Sequence, residues 1–247
     1  MSRWRLIGFG LGAYALGLIA AAPATLIDSS LRQASSGGLR LAEASGTLWS
    51  GTGLIEIRDA NRRSGIAKSI AWSVRPAYLL RGKLLYEVAL DHAAQHFPVT
   101  ISPSRIEVTD ADVGLPAAAL GLGVPKLSAL QLTGDMLLHI ARLAIGRGSV
   151  QGNATLQWQG AGSAFTRVSP LGDYEMRIEG DGSAVRASLR TLQGPLQLEG
   201  RGSWAAGRNL VFQGSARVPP QHEQQLSPLL RLIAVERGRG NFELQLN

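Results

Sequence analysis

The sequence predicts a mainly β protein: a single N-terminal transmembrane helix followed by a curved antiparallel β-sheet with a few short helices. Residues 6–27 form one apolar run without charge, and beyond residue 30 short runs alternate apolar with polar residues. Glycine, with 30 residues, separates or interrupts these runs. Alternation at period two is typical of strands with one buried face, and glycine marks turns and bends. The sheet is expected as an open groove or a partly closed barrel.

The apolar run is long enough to cross a membrane as a helix, because about 20 apolar residues span a bilayer. Arg3 and Arg5 precede it, so the positive-inside rule places the N-terminus in the cytoplasm. A signal peptide cleaved near Ala22 is the competing interpretation, but the run exceeds the apolar core of roughly 7–15 residues that such peptides have. For a bacterial chain, we therefore expect a cytoplasmic N-terminus at 1–5, a transmembrane helix of the inner membrane at 6–27 and a periplasmic β-rich domain at 28–247.

Charge and cysteine content limit the classes of function. The formal net charge is +7, and the basic residues are spread thinly rather than gathered in one stripe. Nucleic-acid binding is therefore not predicted, and a surface near anionic membrane lipid is the easier explanation. Cysteine is absent, so disulfides, thiolate nucleophiles and cysteine metal sites are excluded.

The alternating runs give explicit predictions for strand faces. In EASGTLWSGTGLIEIRD, residues 43–59, glycines 46, 51 and 53 predict a bent strand, with Trp49 at the bend beside the core. Two further runs are each expected to place their apolar residues on one face. These residues are Ile66, Ile70, Trp72 and Val74 in the first run, and Leu84, Tyr86, Val88 and Leu90 in the second.

Only three segments outside the apolar run favour helix: Pro76–Leu80, Pro116–Leu120 and Gln221–Val235. The last has leucines at helical spacing. Ser227 is its expected N-cap, followed by Pro228 at the first helical position, and Gly238 is its expected end. We expect this helix to cover one end of the sheet or, alternatively, to dock on a partner or the membrane surface.

Few residues suggest chemistry. His92 and His96 have a spacing that would let two histidines on a helix bind zinc, but they lie between strands in an expected loop. Asp110 and Asp112 could serve acid–base work or calcium, and a turn is the preferred interpretation. Nucleotide-binding loops and a nucleophile elbow are absent from the sequence. We therefore predict no catalytic, cofactor-binding or metal residues, no cofactor and no enzymatic activity.

The order of several segments resembles a known family. After the apolar run come ASGTLWSGTG, RPAYLLRGKLLYEV, SPLGDYEMRIEG, LRTLQGPLQLEGRGSW and NLVFQGSARV, and together they resemble type II secretion system protein N over nearly the whole chain. The resemblance implies an inner-membrane protein with a periplasmic β-rich domain. It also implies contacts with other inner-membrane or outer-membrane components of the machine that exports folded proteins. The family has no known catalytic residues to transfer.

The repetition of strand, glycine and strand also resembles AsmA-like envelope proteins, which are associated with lipid handling. The alternative function is therefore a lipid-binding or lipid-transfer module with an apolar β groove and a possible lipid ligand. The two hypotheses differ in one structural respect. An apolar sheet face that other elements cover is a core, whereas an uncovered one is a binding surface.

Overall fold

The computed structural model describes residues 3–35, 37–58, 65–91, 95–123, 125–205, 211–238 and 240–246. The chain separates into two compact units, residues 1–96 and 97–247. In both, the strands are antiparallel and almost every strand pairs with its neighbour in sequence. This confirms the prediction of a mainly β, antiparallel chain with few and short helices.

Two helices, not one, occupy the N-terminal region. Helix α1 covers Arg3–Ala20 and helix α2 covers Thr25–Ala34. The single helix predicted over 6–27 is therefore interrupted, and the interruption has a clear cause. Pro23 lacks an N–H and disfavours helical backbone in the residue before it, so the first helix ends at Ala20. Among the described residues, no helix combines the length and apolar character needed to span a bilayer.

In residues 1–96, four strands follow one another in the order β1-β2-β3-β4. They are β1 (Leu39–Gly46), β2 (Ser50–Arg58), β3 (Gly65–Arg75) and β4 (Leu84–Leu90). The register pairs Trp72 with Val88 and Val74 with Tyr86, which confirms the two predicted apolar faces as one shared face. A 3-10 helix, Pro76–Arg81, joins β3 to β4 where a short helix was predicted.

Helix α2 covers the outer edge of β1. The Asp28 carboxylate is buried and accepts a hydrogen bond from the Leu41 N–H at 2.9 Å. Arg32, one turn further along α2, is paired with the same carboxylate. The first strand of this unit therefore does not offer a bare edge at Leu41.

In residues 97–247, the strand order runs from β5 to β12 and then through β14 to β13. The last strands are inverted because β14 inserts between β12 and β13. The order does not return to its start, so the described strands of this unit form an open sheet. They are β5 (Phe97–Ile101), β6 (Arg105–Pro116), β7 (Leu132–Gly146), β8 (Ser149–Ser163), β9 (Gly172–Asp181), β10 (Ala184–Gln193), β11 (Gln197–Ala205), β12 (Val211–Arg217), β13 (Ala234–Gly238) and β14 (Asn241–Leu246).

The short helices of this unit agree with the sequence only in part. A 3-10 helix, Ala117–Ala119, precedes α3 (Leu120–Gly123) and α4 (Pro125–Ser128), close to the predicted position. A 3-10 helix, Pro220–His222, leads into α5, Glu223–Leu230.

The predicted helix Gln221–Val235 is wrong in its second half and in its cap. Helix α5 begins at Glu223, so Ser227 and Pro228 lie inside it, and the Ser227 hydroxyl donates to the Glu223 carbonyl at 2.6 Å. Residues 234–238 instead form β13, which pairs with β14. Pairing with the next strand, β14, overrides the local helical pattern there, because it satisfies the backbone donors and acceptors equally well.

The predicted turn at Asp110 and Asp112 is also wrong. Both residues lie within β6, and the chain kinks there because Asp110 adopts a positive φ of 48°. Opposite this kink, the pairing of β7 with β8 shifts by one residue between Ile140 and Arg142. The kink is thus a bulge inside two long strands and not a chain reversal.

Candidate functional site

One face of the sheet in residues 97–247 is apolar, and we call it the apolar face. Residues that pair across antiparallel strands point to the same side, so the register defines the face. Across β6 to β10 it carries isoleucine, leucine and valine at successive paired positions. Its central members, each half-buried, are Leu138, Ile140, Leu143, Leu156, Ile178 and Leu189.

The bulge in β7 keeps this face continuous. Ile140 pairs with Ala154 and Leu143 pairs with Gly152, so both side chains lie on one face although they are three residues apart. Strict alternation would have put Leu143 on the opposite face. The extra residue, Ala141, therefore corrects the phase of the apolar pattern in this strand.

One end of the apolar face is covered. Helix α5 contributes Leu226, Leu229 and Leu230 to a buried cluster, and they pack with Phe242 and Leu244 of β14. Other buried members come from the loops and strand ends nearby: Leu130, Leu171, Leu196, Ala216 and Val218. This end is the hydrophobic core of the unit, and it confirms the expectation that the C-terminal helix covers one end of the sheet.

The other end of the apolar face is open. Ile106 and Ile145 pair with each other and are 44% and 46% exposed, and Trp204 is 40% exposed. A cavity of about 150 Å³ lies between the β7–β8 turn, the β9–β10 turn and the end of β11. Its apolar lining comes from Ile145, Val150, Val185 and Trp204.

Glycines on the same face give it depth. The Phe212 ring lies over β11, where a Cβ at Gly200 would come within 2.5 Å of the ring and one at Gly202 within 2.9 Å. Gly152 and Gly180 occupy adjacent positions of β8 and β9 nearer the open end. Because glycine has no side chain, the sheet backbone lies bare between the larger apolar residues and forms the bottom of a depression in this face.

The opposite face is polar and carries cross-strand ion pairs. Arg142 Nη2 lies 2.6 Å from Glu107, and His139 Nδ1 lies 2.7 Å from Asp112, the residue that it pairs with across the strands. Similar pairs join Arg186 to Asp181 and Arg237 to Glu243. Exposed pairs of this kind add little stability, because water screens their attraction. They leave a solvated face whose charges are locally balanced.

Glu175 is a buried member of the polar face. Its Oε1 accepts hydrogen bonds from Arg177 Nε and Arg190 Nε, both at 2.9 Å. Two guanidinium groups therefore compensate one carboxylate, so the charge that is removed from water remains bonded. These three side chains link β9 to β10, so their role is structural.

The shifted pKa values also have structural causes. Burial raises the pKa of the Tyr174 hydroxyl far above its ordinary value of 10, and the nearby Asp173 carboxylate adds to the rise. That hydroxyl donates to the Leu196 carbonyl at 2.9 Å. The Ala184 N–H, and after it the Ser183 hydroxyl and N–H, lower the pKa of Asp181 well below its ordinary value of 3.8. Neither residue changes its charge near neutral pH, so neither is suited to acid–base work there.

The free edge of this sheet is β13. It lies at the end of the strand order and pairs with β14, and no further strand flanks it in the part of the chain that the structure describes. Val235, in the middle of this strand, is exposed. A short exposed edge strand of this kind can accept an extended segment of another chain.

The family model described as type II secretion system (T2SS), protein N, matches residues 37–245. The chain belongs to the type II secretion system protein N family. This confirms the family resemblance found in the sequence, and it supports a part in type II secretion and protein transport and association with the cell envelope.

One curated relative is similar to part of this family member. The chain is 36% identical over 126 residues to the DNA mismatch repair protein MutL of Acidiphilium cryptum (strain JF-5), a match that covers 49% of the chain. The chain spans only 20% of the length of that relative, so the match carries nothing of the whole relative's activity. No solved structure matches the chain.

Of the two histidines at the predicted metal-binding spacing, the structure describes one. His92 lies outside the described residues, and His96 lies in the segment that precedes β5. Within the described ranges, no group of three or more histidine or acidic side chains is arranged to hold a metal ion. Asp112 meets His139, a partner that the sequence spacing did not indicate. Only the strand register reveals that pair, since its members are far apart in the chain.

Trp49 has a different role from the predicted one. It lies in the turn between β1 and β2, and its Nε1 donates to the carbonyl of Ile19 near the end of α1, at 2.8 Å. In this unit Trp72 packs on a glycine, since its ring would lie 2.6 Å from a Cβ at Gly51. The prediction of a tryptophan on a bent strand therefore fits Trp72, whereas Trp49 fastens α1 to the β1–β2 turn.

Proposed function

We propose that this family member is a non-enzymatic inner-membrane component of the type II secretion system that acts by protein contacts in the periplasm. The family match over residues 37–245 carries the proposal, because it covers thirteen of the described strands in full and β14 except for its last residue. The cross-strand ion pairs and the buried, fully bonded Glu175 support a structural role for the charged residues. The function is then one of binding and not of chemistry.

The edge strand β13 is the contact surface that we favour for a partner component. The edge of β1 is blocked at Leu41 by Asp28. In contrast, Val235 is exposed on β13, the last strand in the sheet of residues 97–247. Addition of a strand from a partner would extend the sheet through backbone hydrogen bonds, with alternate side chains giving specificity. The same reasoning makes β13 the part of the chain to probe first.

Deletion of the gene and photo-cross-linking in cells test this proposal. Deletion should reduce secretion of type II substrates, and the intact gene should restore it. A photo-reactive amino acid at Val235 should cross-link to a component of the secretion system. The same probe at Ser188, exposed on the polar face within the sheet, is the control and should not. Unchanged secretion after deletion, together with no cross-linked component at Val235, would refute the proposal.

We also propose that α1 attaches the chain to the inner membrane, with the N-terminus in the cytoplasm and the β-rich residues in the periplasm. The support is the side-chain exposure along α1, where Phe9 is 79% exposed and Leu11, Tyr14, Leu18 and Ile19 are exposed as well. Arg3 and Arg5 at the start of α1 favour the cytoplasmic side. An exposed apolar helix surface of this kind is stabilised by lipid.

Extraction and protease protection test the attachment. The full chain should stay with membranes at alkaline pH, and protease added to spheroplasts should digest the β-rich residues. A chain that is released by alkaline carbonate, or that resists protease until the cells are lysed, would contradict this arrangement.

A second candidate function is supported by the open end of the apolar face. Ile145 and Trp204 flank an apolar cavity of about 150 Å³, and the half-buried residues beyond it continue toward the covered end. An acyl chain entering at the cavity would find an apolar surface along its length, as in a lipid-binding or lipid-transfer module. This candidate is compatible with a place in the envelope but assigns the sheet a different ligand.

Lipid retention separates the two candidates. Protein purified from native membranes in mild detergent should carry phospholipid detectable by native mass spectrometry. Val185→Asp, in the cavity wall, should lower the amount of bound lipid. Ser188→Asp, on the polar face of the same strand, is the matched control and should not. Equal amounts of bound phospholipid in both variants would exclude the open end of the apolar face as a lipid site.

A further inference from the structure

The turn between β3 and β4 presents apolar side chains to solvent between basic ones. Its 3-10 helix, Pro76–Arg81, contains no buried residue. Leu80 is 94% exposed, and Tyr78 and Leu79 are exposed too. Arg81 and Lys83 follow and are exposed. Such a combination of apolar tip and basic flank matches the boundary between acyl chains and anionic headgroups.

The turn is held in a defined shape. The Gly82 N–H donates to the Leu79 carbonyl at 2.9 Å, and the Lys83 N–H donates to the Tyr78 carbonyl at 3.2 Å. Gly82 closes the turn with a left-handed backbone conformation, and the Arg81 guanidinium lies 6.0 Å from the centre of the Tyr78 ring. Leu80 is therefore presented outward by a hydrogen-bonded backbone. Its exposure is a property of the turn.

The same turn lies at the end of the unit where α1 ends. Trp49 is bonded through its indole N–H to the Ile19 carbonyl of α1, and its own carbonyl accepts the Val74 N–H at 2.6 Å. Val74 is two residues before Pro76. Leu48 strengthens the attachment, since its N–H donates to the Ala22 carbonyl at 2.8 Å. One tryptophan thus links the end of α1 to the strand that leads into the turn.

We propose that the Pro76–Arg81 turn, with Arg81 and Lys83, is a second membrane contact that inserts Leu80 into the surface of a bilayer containing anionic phospholipid. The inference rests on the proposed membrane attachment through α1 and deepens it. With α1 in the membrane and its end at the surface, Trp49 fixes β3 so that the turn meets that surface. Leu79 and Leu80 enter the acyl boundary, and Arg81 and Lys83 face the phosphates. The orientation of the β1–β4 sheet relative to the membrane is then set by two points.

The absence of cysteine allows a direct test on the full chain. Leu80→Cys is labelled with the environment-sensitive fluorophore NBD, and the protein is reconstituted in vesicles of phosphatidylethanolamine and phosphatidylglycerol. The emission should shift to shorter wavelength, and lipids that carry a nitroxide near the headgroup should quench it. Ala67→Cys is the control, since Ala67 is exposed on β3, the strand that leads into the turn, and lies about 30 Å from Pro76 at about 3.3 Å per residue. Its label should stay in water and unquenched.

Charge reversal tests the basic residues. Arg81→Glu combined with Lys83→Glu should reduce the quenching at position 80 in anionic vesicles, while the chain remains bound through α1. A label at position 80 that is as water-exposed as the one at position 67, in a chain that stays with the vesicles, overturns this inference alone. Release of the chain from the vesicles overturns the attachment through α1 as well. Shielding of the label only when other secretion components are added overturns it in favour of a protein contact.

Discussion

At the scale of single residues, backbone geometry and local hydrogen bonds carry most of the explanation. Gly152 has a φ of 133°, a value that residues with a Cβ rarely adopt. A Cβ at this position would also overlap the Arg142 carbonyl. This glycine lies opposite the β7 bulge that keeps the apolar face in phase. It is therefore the glycine whose replacement tests the bulge most directly.

Gly152→Ala should lower the free energy of unfolding by on the order of 2 kcal/mol or more, because strained backbone and a backbone overlap add together. Gly114→Ala, in strand β6 of the same sheet, is the control, since a Cβ there meets nothing within 4 Å. Its change should stay within about 0.5 kcal/mol. Thermal unfolding in mild detergent measures both, and equal loss in the two variants would contradict the assigned strain.

Asp181 gives a prediction for acid pH. Its pKa is lower in the folded chain than the ordinary 3.8, so the ionised carboxylate stabilises the fold above that pH. The contribution is lost as the pH falls below about 4 toward the folded-state pKa. Asp181→Asn should therefore be less stable than the unmodified chain at neutral pH, and the difference should shrink on acidification.

Melting temperatures recorded from neutral pH downward check this expectation. Ser183→Ala removes one donor to the Asp181 carboxylate and should give an intermediate pH dependence. If the melting temperatures of the unmodified chain and Asp181→Asn differ by the same amount at every pH, the hydrogen bonds to the ionised carboxylate do not stabilise the fold.

At the scale of elements, the two sheet edges differ because only one is covered by a helix. Asp28 of α2 bonds the Leu41 N–H of β1, and β13 has no comparable cover among the described residues. Covering an edge prevents unwanted strand pairing, so the bare edge is the one on which a partner is expected.

Asp28→Ala should cost about 1–3 kcal/mol, because the buried Leu41 N–H loses its acceptor. Asp28→Asn keeps an oxygen acceptor and should lose less. Hydrogen exchange at the Leu41 amide, together with thermal unfolding, distinguishes the two variants. Exchange that is equally slow in the alanine variant would mean that the N–H has another acceptor.

At the scale of the whole molecule, stability and binding surface are separated along one sheet face. The covered end holds Leu226, which is fully buried, whereas the open end holds half-exposed Ile145. Packing at one end allows the other to remain uncovered, since the apolar area needed for stability is concentrated around α5.

Leu226→Ala should therefore lower the free energy of unfolding by about 2–5 kcal/mol, the range for leucine removal from a core. Ile145→Ala should cost about 1 kcal/mol or less, because its side chain stays largely in contact with solvent. Denaturant titration followed by circular dichroism compares them. A larger loss for Ile145→Ala would mean that the open end is part of the core.

Much of the fold could be predicted from the sequence because strand alternation is a local property. The shared face of Trp72 and Val88 follows from the period-two pattern in each strand. The bulge at Ala141 could not be predicted, because the same change of phase from Ile140 to Leu143 is also compatible with a helical spacing. The candidate site shared this limit, since the pair of Asp112 with His139 and the cavity at Trp204 arise from strands that are distant in the chain.

The sequence by itself determined the antiparallel β class, the positions of most strands, the exclusion of cysteine chemistry and the family resemblance, because each follows from residue type and local order. The structure alone decided that residues 234–238 pair as a strand and that the apolar face is covered at one end only. The first outcome depends on hydrogen bonds to the neighbouring strand β14, and the second on packing between segments far apart in sequence. Such contacts can outweigh local preference by the free energy of burial and pairing.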